Sequence, residues 1–294
     1  MMIIDCHAHF EPGILDAAGI IARMDQHGIQ KTALMSKMTT APIYKKSDYL
    51  MGIQRFILSY RALRPIAKRL DSSFHKKEGE WDPWYRKLLG KGEIYEILHR
   101  PDNQSVFDAV VEYPDRLFGW IFLNPKMENW EQEFEQWNGT KGAIGIKIHP
   151  FWHRYSLVEA RPIAQLAEKY QLPLMIHLGF DSVETISAFA SEFAHLSVIF
   201  SHAAFPLYGG IWSILKKNPR FYVDLSSHHV DASILRKVIK YLGAERCLYG
   251  TDDPYGDEKA GVWIQKWVYS LRLSPEEQEL IFSRNFIEIM HHSL

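Results

Sequence analysis

Cysteine is nearly missing from this chain. Only Cys6 and Cys247 occur among 294 residues. Two cysteines in so long a chain exclude a disulfide framework, and both read as small buried residues on strands. Charge of one sign is also missing, because the formal net charge is −1. That balance, with no basic stripe, excludes an electrostatic footprint for nucleic acid. The short runs Lys45-Lys46 and Lys76-Lys77 read as solvated faces. No stretch reaches the ~20 apolar residues of a membrane span. The opening Met1-Met2-Ile3-Ile4-Asp5 lacks the basic region and apolar run of a signal peptide, so a cytoplasmic location is expected. There is no internal repeat and no low-complexity segment.

What is present is an ordinary globular composition, 47% hydrophobic and 23% charged. A chain this long buries about three quarters of its unfolded surface and needs no staples. Short apolar runs alternate with longer helical patterns. The strand candidates are 3–9, 31–36, 117–123, 143–149, 172–178, 197–202, 221–226 and 247–252. Near-continuous apolar strands are covered on both faces. Helical patterns fill 158–170, 182–193, 207–217, 232–242 and 259–272. Ser274-Pro275-Glu276-Glu277 opens the last helix, with Ser274 as cap and Pro275 in first position. Repeated alternation predicts a parallel sheet, and eight units predict closure into a (β/α)₈ barrel, the TIM barrel fold. The whole chain, 1–294, is then one domain. Residues 38–100 show no strand candidate and read as a helical insertion after strand 2. Such a loop lies on the active-site face, so a cap over the site is expected. Trp81 and Trp84 in this insertion suit an interface, and a homodimer is the expected assembly.

The strongest local signal is Asp5-Cys6-His7-Ala8-His9. Alternate side chains of a strand share a face, so His7 and His9 are expected to point together into the barrel mouth. Asp5 is expected on the same face, one layer deeper. Two converging imidazoles are a good pair of Zn²⁺ ligands; the alternative is two histidines satisfied by hydrogen bonds. Three later strands end in His177, His202 and Asp252. Polar residues at the carboxyl ends of barrel strands read as catalytic, and burying them unpaired is costly. A metal site accounts for all five together.

This pattern resembles the amidohydrolase superfamily. Ile4-Asp5-Cys6-His7-Ala8-His9, Gly145-Ile146-Lys147-Ile148-His149-Pro150, Leu172-Pro173-Leu174-Met175-Ile176-His177, Phe200-Ser201-His202 and Tyr249-Gly250-Thr251-Asp252 are similar to its amidohydrolase-related branch. That branch includes aminocarboxymuconate-semialdehyde decarboxylase-like enzymes. Tyr113 to Gly119, followed by Leu123-Asn124-Pro125, resembles its third strand. The resemblance covers the chain outside 38–100 and is specific to fold and metal site, not to a reaction. It implies that His7, His9, His177 and Asp252 bind one divalent metal, with Zn²⁺ expected, and that His202 and Asp252 carry catalysis. A second ion, bridged by a carboxylated Lys147 and bound by His202 as a further ligand, is the alternative. Lys147 otherwise binds a substrate carboxylate or pairs with Asp5 or Asp224. His149, Trp152 and Arg154 are further substrate-binding candidates after strand 4. His228 and His229 lie on the loop after strand 7. The expected reaction is hydrolysis of a small-molecule amide, lactone or ester-like bond; the alternative is non-oxidative decarboxylation of an unsaturated or aromatic acid.

Overall fold

The computed structural model describes residues 1–41, 48–60, 62–66, 69, 79–81, 94–255 and 260–291. Eight parallel strands form one sheet in chain order. They are β1 (Ile4–Phe10), β2 (Lys31–Ser36), β3 (Leu117–Phe122), β4 (Ala143–Ile148), β5 (Leu174–Ile176), β6 (Val198–Phe200), β7 (Phe221–Asp224) and β8 (Cys247–Leu248). Neighbours in sequence are neighbours in space. Cys6 N donates to Tyr249 O at 3.0 Å, and Asp252 N donates to His7 O at 2.7 Å. These bonds join the last strand to the first, so the sheet is a nearly closed barrel.

The predicted helical segments wrap it, including Arg161–Lys169, Val183–Glu192, Ala232–Leu242 and Ala260–Ser270. Leu207 to Lys217 is less regular than its periodicity suggests. A short 3₁₀ turn, Tyr208–Gly210, precedes the helix Trp212–Lys217. The last helix begins with a full capping box, Ser274 and Glu277 bonding reciprocally, and Pro275 stands in its first turn.

Two apolar layers result. Leu34, Ile121, Ile146, Ile176, Val198 and Val223 face the helices. Ile4, Cys6, Met35, Trp120, Met175, Ile199 and Leu248 fill the barrel interior. Each such side chain, fully buried, contributes about 1.5–3 kcal/mol. Both cysteines are buried and unpaired. Among the described residues, no helix is long and apolar enough to cross a membrane.

The face expected for Asp5 is corrected by β1 itself. Its pairing runs Asp5↔Thr32 and then Ala8↔Leu34, so β1 advances three residues while β2 advances two. The extra residue is a β-bulge, which re-aims side chains. Ile4 and Cys6 therefore point inward below it, and His7 and His9 point inward above it. Asp5 points outward with Thr32, beside a small cavity lined by Ala8, Ile20 and Met24 of the helix layer.

Residues 38–100 are also corrected in part. The helix Asp48–Ser59 is present. Two short strands, Glu80–Trp81 and Tyr95–Glu96, pair antiparallel. Two-residue strands leave no periodicity to read. Arg55 donates to the His228 carbonyl and lies 3.4 Å from Asp231, which ties this helix to the loop after β7. Trp84, Lys45-Lys46, Lys76-Lys77 and much of the insertion lie outside the described residues, as does His292.

Candidate active site

The candidate residues meet at the carboxyl ends of the strands. His7, His9, His177, His202, Asp252, Lys147 and Asp224 are all buried there. Their geometry is set largely by hydrogen bonds to ring nitrogens. A ring nitrogen facing a carbonyl or carboxylate oxygen carries the proton, which leaves the other nitrogen bare.

His7 Nδ1 donates to Asp224 Oδ2 at 2.8 Å. His9 Nδ1 donates to Ser36 O at 2.9 Å, and His177 Nδ1 to Leu178 O at 3.2 Å. His202 Nδ1 donates to Ser226 Oγ at 2.8 Å, because the Ser226 hydroxyl is itself committed to Asp224. All four imidazoles thus expose a bare Nε2. Such partners fix tautomer and ring direction at metal sites.

Three acceptors converge. Asp252 Oδ1 lies 3.4 Å from His7 Nε2 and 3.5 Å from His9 Nε2. His7 Nε2 is buried with no hydrogen-bond partner. Ligand atoms of His7, His9 and Asp252 all fall within 4.8 Å of one another. Lone pairs so placed repel, and a cation resolves the repulsion. The donor set, two imidazoles and a carboxylate, fits a divalent first-row ion. His177 stands outside that trio. Its ring lies 4.9 Å from His202 and stacks on His149 at 4.0 Å. A second trio, His7, His202 and Asp224, also forms, and its hydrogen bonds already account for it.

Electrostatics agree. Burial lowers the His7 imidazolium to about 3 despite Asp224. Burial raises Asp252, but His202, His9 and His7 outweigh it and hold the carboxyl well below its usual range. Asp224 is held low in the same way, chiefly by His7. Burial lowers Lys147 to about 8, opposed by Asp224 and Asp252.

Lys147 Nζ donates to Ser201 Oγ at 3.1 Å. Asp5, on the opposite face of β1, is not its partner. Asp5 instead accepts from Thr251 Oγ1 at 2.6 Å and from Thr251 N at 3.0 Å, which anchors the segment carrying Asp252. His149 caps the short helix Pro150–His153, and Trp152 packs edge-on against it at 5.8 Å. Arg154 ends that helix in the left-handed region. His229 stacks on Phe205 at 3.9 Å and lies 5.5 Å from His202.

Backbone strain gathers at the same place. His202, Ala203 and Ala204 have φ of 56°, 55° and 66°, and Asp252 has 62°. Such conformations cost roughly 1–3 kcal/mol each and persist where surroundings over-determine them.

Asp224 and Ser226 were not singled out for this role by the sequence. The signal existed for Asp224: a carboxylate ends an apolar strand, as Asp252 does. Ser226 has no such mark.

A family model described as amidohydrolase matches residues 90–288. The chain belongs to the amidohydrolase family. Solved structures share its fold. A TIM-barrel protein of Bordetella bronchiseptica superposes with a TM-score of 0.65 at 14% identity, covering 100% of this chain and 99% of that one. A probable 2-pyrone-4,6-dicarboxylic acid hydrolase of Acinetobacter baumannii gives 0.56 at 14%, over 99% and 100%. A 5-carboxyvanillate decarboxylase of Novosphingobium aromaticivorans with bound manganese gives 0.60 at 14%, over 99% and 97%. No curated protein matches this chain by sequence.

Proposed function

We propose that this amidohydrolase hydrolyses a small-molecule amide, lactone or ester-like bond, with one divalent ion, Zn²⁺ expected, held by His7, His9, His177 and Asp252. The observation that carries this reading is the state of His202. Its Nδ1–H is committed to the Ser226–Asp224 chain, so it faces the site with a bare Nε2. That is the form of a general base.

An ion held there acidifies water and polarises a carbonyl. His202 Nε2 takes the proton of the attacking water. Oxygen adds to the carbonyl carbon, the carbon–nitrogen or carbon–oxygen bond breaks, and His202 returns the proton to the leaving atom. Asp224, through Ser226, supports the imidazolium formed between these steps. Asp252, anionic and beside His7 and His9, accepts a hydrogen bond from the same water and orients it in a supporting role.

A second reading is decarboxylation of an unsaturated or aromatic acid. The buried Lys147 cation favours it, since a carboxylate suits that charge, with Arg154 as the other carboxylate-binding candidate. The decarboxylase among the similar structures is in line with it. Here His202 delivers a proton to carbon.

A panel of lactones and amides, run beside hydroxybenzoates, separates the two. Ring opening or amide cleavage without CO₂ supports hydrolysis; released CO₂ supports the lyase. His177→Ala and Asp252→Ala are expected to lose metal by elemental analysis and to lose turnover about a thousandfold, since the ion supplies several kcal/mol. Full metal and full rate in His177→Ala would show that His177 is not part of the site.

A further inference from the structure

One imidazole at the mouth is wired the other way round. Trp152 N donates to His149 Nδ1 at 3.1 Å. A nitrogen that accepts an N–H cannot carry a proton, so the His149 proton sits on Nε2. Each of the four rings around the metal position has the opposite tautomer. The bond to Trp152 also holds the ring, as does the parallel stack on His177 at 4.0 Å and 20°. His149 follows Lys147 by two residues, so both lie on the inward face at the end of β4. Among the described residues, His149 Nε2 has no hydrogen-bond partner. Burial holds its imidazolium well below the usual range, with His177 and Lys147 acting in the same direction, so the ring is neutral.

A fixed N–H donor with no acceptor, two residues from the Lys147 ammonium and beside the metal position, is suited to an anionic oxygen. We infer that His149 is a substrate-binding donor whose Nε2–H recognises a negatively charged oxygen, that of a carboxylate borne by the substrate. It is not a metal ligand, because its Nε2 lone pair is occupied by the proton. The inference rests on the reading of this mouth as a metal-dependent active site. It deepens that reading by assigning an acidic substrate and the residue that selects it.

Two substitutions separate the two nitrogens. His149→Asn keeps an acceptor near Nδ1 for Trp152 and removes the donor. His149→Gln places an amide N–H near Nε2 and removes the cap. Benzoate and benzamide are the probes, titrated calorimetrically into the zinc-loaded enzyme. Benzoate is expected to bind His149→Asn about 10- to 100-fold more weakly than wild type, the range for a hydrogen bond to a charged group. Benzamide is expected to change little, and His149→Gln to recover most of the benzoate affinity. Unchanged benzoate binding in His149→Asn, or wild type that prefers benzamide, overturns the inference.

Two readouts do not depend on substrate. A long-range ¹⁵N–¹H spectrum of histidine-labelled protein should show His149 protonated at Nε2, its signals identified by their loss in His149→Asn. Protonation at Nδ1 instead overturns the inference. Metal content of His149→Asn should equal wild type; loss of zinc would make His149 a ligand and overturn it too. Failure of wild type to hold metal or turn over either substrate panel would instead strike the proposed function.

Discussion

The two sides of the barrel mouth use the same residue in opposite ways. On the side built by β1, β5, β6 and β8, each imidazole donates through Nδ1 and presents a bare Nε2. On the β4 side, His149 accepts through Nδ1 and presents a proton. Nothing intrinsic to histidine decides this. The group behind the ring decides it: an oxygen produces an acceptor for a cation, and an amide N–H produces a donor for an anion. One side is suited to hold a metal and the other to hold the substrate's negative charge.

The largest effect expected behind the site, from a residue outside the ligand set, tests the metal side through Asp224. Asp224→Asn removes the anion behind His7 and the end of the Ser226 chain. Metal affinity is expected to fall about 10- to 100-fold, the usual range for such partners. Competition with a chelator measures it. The His149 tautomer should stay as it is; a change there would mean that the two sides are not independent.

Gly250 is the next test. A Cβ there would lie 2.9 Å from Ser226 Cβ and 3.0 Å from His7 Cβ. Gly250→Ala must push β7 from β1 and is expected to cost about 1–3 kcal/mol in urea denaturation. Zinc affinity should fall with it, because His7 moves.

The last test concerns Asp5. Burial raises its carboxyl to about 8, with Thr251 opposing. The folded state therefore holds this proton more tightly than the unfolded chain does. That contribution to stability is complete below the unfolded value near 4 and is lost as pH rises through about 8. The slope is at most about 1.4 kcal/mol per pH unit for one proton. Asp5→Asn should flatten the fall in urea midpoint between pH 5 and 8.5. An unchanged slope would place the proton elsewhere.

Much of this arrangement is legible in the sequence. Eight strands read correctly because strands buried on both faces are apolar throughout. Polar residues ending them, His177, His202 and Asp252, therefore stood out. The last strand read as 247–252, yet its ladder stops at Leu248; beyond it, single bonds to His7 and Asp5 replace strand pairing. The bulge left no trace, since Asp5-Cys6-His7 contains no glycine or proline to mark it. That is why Asp5 was expected on the wrong face. The direction of a hydrogen bond at an imidazole is equally silent in sequence, so His149 looked no different from His9. Ser226 is one of many serines until Asp224 and His202 are seen on either side of it.

The bulge in β1 acts as a phase slip. Below it, Ile4 and Cys6 keep step with the apolar interior; above it, His7 and His9 keep step with the mouth. The two halves of one strand thus answer to different neighbours. Deleting Cys6 would remove the slip and set His7 opposite Ala33, with Ala8 and His9 keeping their partners, so both imidazoles would still point inward and the interior would lose one apolar side chain. The lower core can thus change its side chains without re-aiming the upper pair. The barrel gains, within seven residues, a boundary between the part that must be stable and the part that can be altered for chemistry.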